Sequence, residues 1–163
     1  MLTKEEIIEE TNDLLLFDFD ALRAYEDAIG EITDTETHKR LIEFRRDHLS
    51  HIEELSEIVL ILGGRACDRP NGRESWCESL SATLARPAEA VLHMLRATEE
   101  VLIAERATRI KKDSLEAIAQ VLKRQQKDNQ RHRQWFVAVD GRSQSASTAA
   151  TATMADSHLN PSG

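Results

Sequence analysis

The chain has 163 residues, enough for one domain with a real core, and its formal net charge of −8 argues against general nucleic-acid binding. Aromatic residues make up only 4%, while Leu, Ile, Ala, Glu and Arg are plentiful, which favours helix over sheet. It contains no run of about 18 apolar residues, so no membrane span is expected.

Met1-Leu2-Thr3-Lys4-Glu5-Glu6 does not resemble a secretory leader, and the expected location is the cytoplasm. Thr3-Lys4-Glu5-Glu6 is instead a capping-box pattern that opens the first predicted helix. The apolar seam of that helix runs Ile8, Leu15, Leu22, Tyr25, Ile29, Ile32 at three- and four-residue steps. Thr33-Asp34-Thr35 ends it and caps the second helix, predicted from Glu36 to Leu62 with a seam of Leu41, Phe44, Leu55, Ile58 and Leu62. Gly63-Gly64 is its stop.

A long connection follows, from Gly63 to Arg86, with turn signals at Pro70 and Asn71-Gly72 and room for a short helix at 78–84. It carries both cysteines, Cys67 and Cys77. They could pair, but a reducing compartment favours free thiols. Trp76 and Cys77 are expected to pin this loop to the bundle. The third helix is predicted to start at Pro87, with a seam of Leu92, Leu95, Leu102 and Ile110. Asp113-Ser114-Leu115-Glu116 caps the fourth, whose seam is Leu115, Ile118, Leu122, Phe136 and Val139, with a stop at Asp140-Gly141. The basic residues Arg109, Lys111, Lys112, Lys123, Arg124, Lys127, Arg131 and Arg133 read as a solvated face. From Arg142 onward Ser, Thr and Ala dominate. The predicted organisation is a helical domain over 1–141 and a disordered tail over 142–163.

Each seam contains polar residues near its middle. The steps 15, 18, 22 turn Asp18 inward, and 44, 48, 51, 55 turn His48 and His51 inward. In the third helix 95, 99, 102 includes Glu99. In the fourth, 122, 125, 129, 132, 136 includes Gln125, Asn129 and His132. Much of this pattern repeats. Asp47-x-x-x-His51 recurs 81 residues later as Asp128-x-x-x-His132. The same offset pairs Asp18 with Glu99, Leu22 with Ile103, Leu41 with Leu122 and Leu55 with Phe136. A shared offset over helix-length segments reads as a duplicated helical hairpin. An unpaired buried charge is costly, so these groups are expected to meet one another, a metal ion or trapped water.

On these residues the chain resembles the ferritin-like superfamily, in particular its bacterioferritin and rubrerythrin branch and bacterial ferritin-like domains with altered metal ligands. Asp18 precedes Tyr25 as the family's first-helix carboxylate precedes its Tyr. The run from His51 to Gly63-Gly64, and His132 followed by Trp135, also match. The resemblance covers residues 1–140. It implies an all-α, ferritin-like four-helix bundle of two antiparallel hairpins with a long crossover. It also implies a metal centre built from a Glu on the first and third helices and Glu-x-x-His on the second and fourth. Here His48 and Asn129 stand where the two bridging Glu residues belong.

The expected site is therefore Asp18, His48, His51, Glu99, Asn129 and His132, holding one divalent ion (Fe, Mn or Zn) rather than two. The expected function is a ferritin-like metal-binding protein concerned with iron or oxidative stress. The alternative is a metal-free helical-bundle binding or scaffold module that has lost the di-iron centre, its inward polar residues forming a hydrogen-bond network. The resemblance also implies a homodimer through the first two helices, where Leu14, Leu16, Phe19 and Leu49 would form a modest apolar patch if they align outward; no nucleic-acid and no membrane partner is expected. Neither a CxxC pair nor a Gly-rich nucleotide signature is present.

Overall fold

The computed structural model describes residues 2–68, 87–112 and 115–156, with side chains as far as Arg142. Four helices form, α1 (Lys4–Glu31), α2 (Thr35–Ile61), α3 (Ala88–Lys111) and α4 (Glu116–Asp156), and no strand occurs among the described residues.

The predicted punctuation acts at most ends. The Thr3 hydroxyl accepts from the Glu6 N–H at 3.2 Å, and the Glu6 carboxylate accepts from the Thr3 N–H at 2.7 Å, closing a capping box. Asp34 accepts from the Thr37 N–H at 2.8 Å and opens α2. Past the end of α2, Gly63 adopts φ 74°, a left-handed conformation that glycine enters without steric cost. At Gly64 a Cβ would lie 2.8 Å from Ile8 Cγ2, so only glycine lets the end of α2 approach α1 this closely.

Apart from one-residue shifts at both ends of α2, two boundaries differ from expectation. Pro87 is the N-cap of α3 rather than its first helical residue, and its carbonyl accepts from Ala90 and Val91. Helix α4 runs in backbone past the expected stop at Asp140-Gly141, as far as Asp156. A helical Gly costs about 1 kcal/mol relative to Ala, too little to end a helix by itself. The next proline is Pro161, so nothing between breaks the backbone ladder. The predicted helix at 78–84, the anchors Trp76 and Cys77, the cap residues Asp113 and Ser114, and the last seven tail positions 157–163 lie outside the described residues.

The short connections after α1 and α3 fold each pair into an antiparallel hairpin, and α1 packs on α3 while α2 meets α4 more sparsely. Two apolar clusters hold the ends of the bundle. One joins Ala24, Tyr25 and Ala28 of α1 and Ile32 just past its end to Leu41 and Phe44 of α2, Val91, Leu92 and Leu95 of α3, and Phe136 of α4. The other joins Ile7, Leu14 and Leu15 to Leu55, Val59, Ile118 and Leu122. Each fully buried Leu contributes roughly 1.5–3 kcal/mol. The clusters also fix the topology: α2 finishes in the second and α3 begins in the first, so the connection between them joins opposite ends, as in the ferritin-like arrangement.

The predicted dimer patch is smaller than expected. Leu14 is 1% exposed inside the second cluster, and Phe19 packs against that cluster, while Leu49 is 44% exposed. The Leu14 side chain faces the core because it shares the inward stripe of Ile7 and Leu15.

Candidate metal centre

Between the two apolar clusters the bundle core turns polar. Asp18, His48, His51, Glu99, Asn129 and His132 all lie there, each at most 2% exposed, in one connected network with Gln125, Tyr25 and Arg106. The helical steps explain the placement. These residues continue the stripes that bury Leu15, Phe44, Leu55, Leu95, Leu102, Leu122 and Phe136, so the fold that buries the leucines buries them too.

Glu99 is the centre of one half. Its Oε1 faces three donors: the Tyr25 hydroxyl at 2.6 Å, His48 Nε2 at 3.0 Å and His132 Nδ1 at 3.2 Å. Its Oε2 accepts from Asn129 Nδ2 at 2.8 Å. The far nitrogens of both imidazoles are held by carboxylates. His48 Nδ1 lies 3.3 Å from Asp18 Oδ1, and His132 Nε2 lies 2.9 Å from Asp47 Oδ2. Phe44 stacks on the His132 ring at 4.1 Å and fixes its plane.

Asp18 is the centre of the other half. Its Oδ2 accepts from Arg106 Nη2 at 2.6 Å, and His51 Nδ1 lies 3.8 Å from its Oδ1. His51 Nε2 lies 3.2 Å from Asp128 Oδ2. Arg106 also donates from Nε to Gln125 Oε1 at 3.2 Å, and Gln125 continues to Glu54 at 2.9 Å. At the surface Arg131 closes the arrangement by pairing with both Asp47, at 2.8 Å, and Asp128, at 3.1 Å.

The charges balance within the core. Burial works to raise the Asp18 carboxyl, but the Arg106 charge, the bond from His48 and the nearby His51 imidazole outweigh it and hold it far below the usual range. Burial opposes ionisation of Glu99 as well, and His48 and His132 hold it low. Burial disfavours the charged His48 imidazole, yet Glu99 and Asp18 push it up to about 9. The geometry agrees, since both His48 nitrogens face carboxylate oxygens, an arrangement that favours the doubly protonated ring. Burial and the neighbouring Glu99 raise the Tyr25 hydroxyl well above its usual value, so it stays a donor.

Among the described residues two groups of side chains are close enough to hold an ion: His48, Glu99 and His132, and Asp18, His48 and His51. The first fits one divalent cation. Its donor set is two imidazole nitrogens and a carboxylate oxygen, with carboxylates behind the imidazoles to orient them. Beside it Asn129 Oδ1 is buried with no hydrogen-bond partner among the described residues. The second group has a guanidinium already against it.

Sequence reasoning did not find Arg106, which is fully buried. The signal was present: the α3 stripe 95, 99, 102 continues at 106, and Arg106 stands 81 residues after Tyr25. Arg109, read as part of a solvated basic face, is also buried. It donates to the Glu10 carbonyl and pairs with Glu10 and Glu105. Asp47 and Asp128, flanking residues in the sequence, reach the outer nitrogens of His132 and His51.

No family model matches the chain, and no curated protein matches it in sequence. Among solved structures it is similar to a crystal structure from Anabaena variabilis of a two-domain protein containing DJ-1/ThiJ/PfpI-like and ferritin-like domains. The identity is 18% and the TM-score 0.69, and the match covers 99% of this chain and 40% of that one. At this identity the likeness speaks for the fold. With two hairpins, a connection between opposite ends and no strand among the described residues, the chain has the ferritin-like fold.

Proposed function

We propose that this bundle is a mononuclear divalent-metal protein whose ion, iron, manganese or zinc, is held by His48 Nε2, Glu99 Oε1 and His132 Nδ1. One observation carries the reading. Three donors converge on the single oxygen Glu99 Oε1, more than its lone pairs accommodate as ordinary hydrogen bonds. An ion set between that oxygen and the two imidazoles turns both nitrogens into lone-pair donors and leaves Tyr25 as the remaining hydrogen bond. Asp18 and Asp47 orient the imidazoles from behind, and Asn129 and Tyr25 orient Glu99. Bound there, the ion supplies Lewis acidity, and if it is iron or manganese it supplies redox chemistry as well. A role in iron handling or oxidative stress follows from this reading only for a redox-active ion.

Elemental analysis of purified protein after dialysis against a mild chelator tests it. One retained ion per chain, lost in His132→Ala, is expected. Substoichiometric metal that washes out rejects it.

The second reading is the metal-free module, and one observation favours it. Arg106 and a protonated His48 already balance Asp18 and Glu99, so these four buried groups compensate one another without an ion.

A further inference from the structure

We infer that the Arg106 guanidinium takes the place of a second divalent cation, so that the Asp18 half of the centre is closed by the protein itself. The inference builds on the reading of the Glu99 half as an ion site. Its basis is what the guanidinium touches. Arg106 lies 2.6 Å from Asp18 Oδ2, 3.2 Å from Gln125 Oε1 and 3.5 Å from His51 Nδ1. A carboxylate oxygen, an amide oxygen and an imidazole nitrogen are donors that a divalent ion also takes. All three side chains are buried, as is Arg106. Meanwhile Arg106 Nη1 has no hydrogen-bond partner among the described residues, so the pocket satisfies its charge rather than its full donor set.

The repeat sharpens the contrast. The two halves match at Asp18 and Glu99, at His51 and His132, and at Asp128 and Asp47. They differ where charge is decided. The position of Arg106 in one hairpin is Tyr25 in the other, and the position of Gln125 is Phe44. Tyr25 makes a 2.6 Å bond to Glu99, the same length as Arg106 to Asp18, but brings no charge. One half therefore carries a permanent cation and the other does not. A guanidinium cannot lose its proton in a protein, so it excludes a second cation at every working pH.

The test is a Co²⁺ titration of the full chain, read as metal retained per chain after dialysis and as helical circular dichroism. Wild type should retain one equivalent. Arg106→Gln should retain two, and Arg106→Lys, which keeps a cation, should retain one. If Arg106→Gln folds and retains no more than wild type, the inference is overturned. If wild type retains none and Arg106→Gln retains one, the inference stands and the Glu99 site falls. Should Arg106→Gln fail to fold, Arg106→Tyr copies the residue of the other hairpin and must gain the extra equivalent. Variants that neither fold nor recover helix when Co²⁺ is added also overturn the inference.

Discussion

Tyr25 and Arg106 occupy equivalent positions in the two hairpins, and each donates a 2.6 Å hydrogen bond across the bundle, Tyr25 to Glu99 and Arg106 to Asp18. The backbone repeat keeps the geometry while the side chains change the charge. Of the two, Arg106 alone brings a permanent cation into the core. That difference makes the two halves chemically unequal although their carboxylate and imidazole frames match.

The Asp18–Arg106 pair is fully buried, so breaking it should cost far more than a surface ion pair. In chelator, Arg106→Leu should lower unfolding stability by about 3–5 kcal/mol, because it leaves Asp18 buried without its cation. Asp18→Leu combined with Arg106→Leu should recover much of that loss, since both charges then leave the core together. Urea denaturation of the two variants checks this. A double variant no more stable than the single one would show that the pair is not the main partner of either charge.

Stability in chelator should depend on pH with a defined sign. His48 rises from 6.5 to about 9 on folding, so its stabilising contribution is complete below about pH 6.5 and is lost as pH rises through about 9. Asp18 and Glu99 are lowered from 3.8 and 4.5, so their contributions are present above those values and are lost as pH falls below them. The melting temperature should therefore be highest between about pH 5 and 6.5 and should fall on both sides. His48→Gln should remove the alkaline fall. A wild-type melting temperature that stays level from pH 6.5 to 9 would rule out a protonated His48 in the fold.

Most of this core was legible because one rule generates it. The steps that bury Leu15, Phe44, Leu95 and Phe136 also bury Asp18, His48, Glu99 and His132, and the 81-residue offset marks the same positions twice. Caps at Thr3 and Asp34 and the Gly63 stop were local and equally readable. Arg106 was not, because an Arg near the basic end of a helix, beside Arg109 and Lys111, reads as solvated. Its burial depends on Asp18 and Gln125 arriving from two other helices. The stop expected at Asp140-Gly141 is passed by the α4 backbone for the opposite reason. A single Gly is a weak local signal, and a run with alanines and no proline lets the helix go on. Asp47 and Asp128 sit one step off the stripes, and only the spacing between α2 and α4 brings them onto His132 and His51.

The last prediction uses those two carboxylates as a matched pair. Asp47 and Asp128 are similarly exposed, at 30% and 35%, and both pair with Arg131, so removing either charge alters the surface in much the same way. They differ in what they hold. Asp47 orients His132, whose other nitrogen faces Glu99. Asp128 orients His51, whose other nitrogen faces Asp18 and Arg106. If the ion belongs to the Glu99 half, Asp47→Asn should weaken metal affinity by roughly 10–100-fold, the usual effect of losing a carboxylate behind a ligating imidazole. Asp128→Asn should leave affinity close to wild type, because the imidazole it supports faces a guanidinium instead of an ion. Competition titrations against a fluorescent chelator measure both. Equal losses would assign the effect to general loss of negative charge near the site. A larger loss in Asp128→Asn would place the ion in the Asp18 half and displace Arg106 from the role given to it.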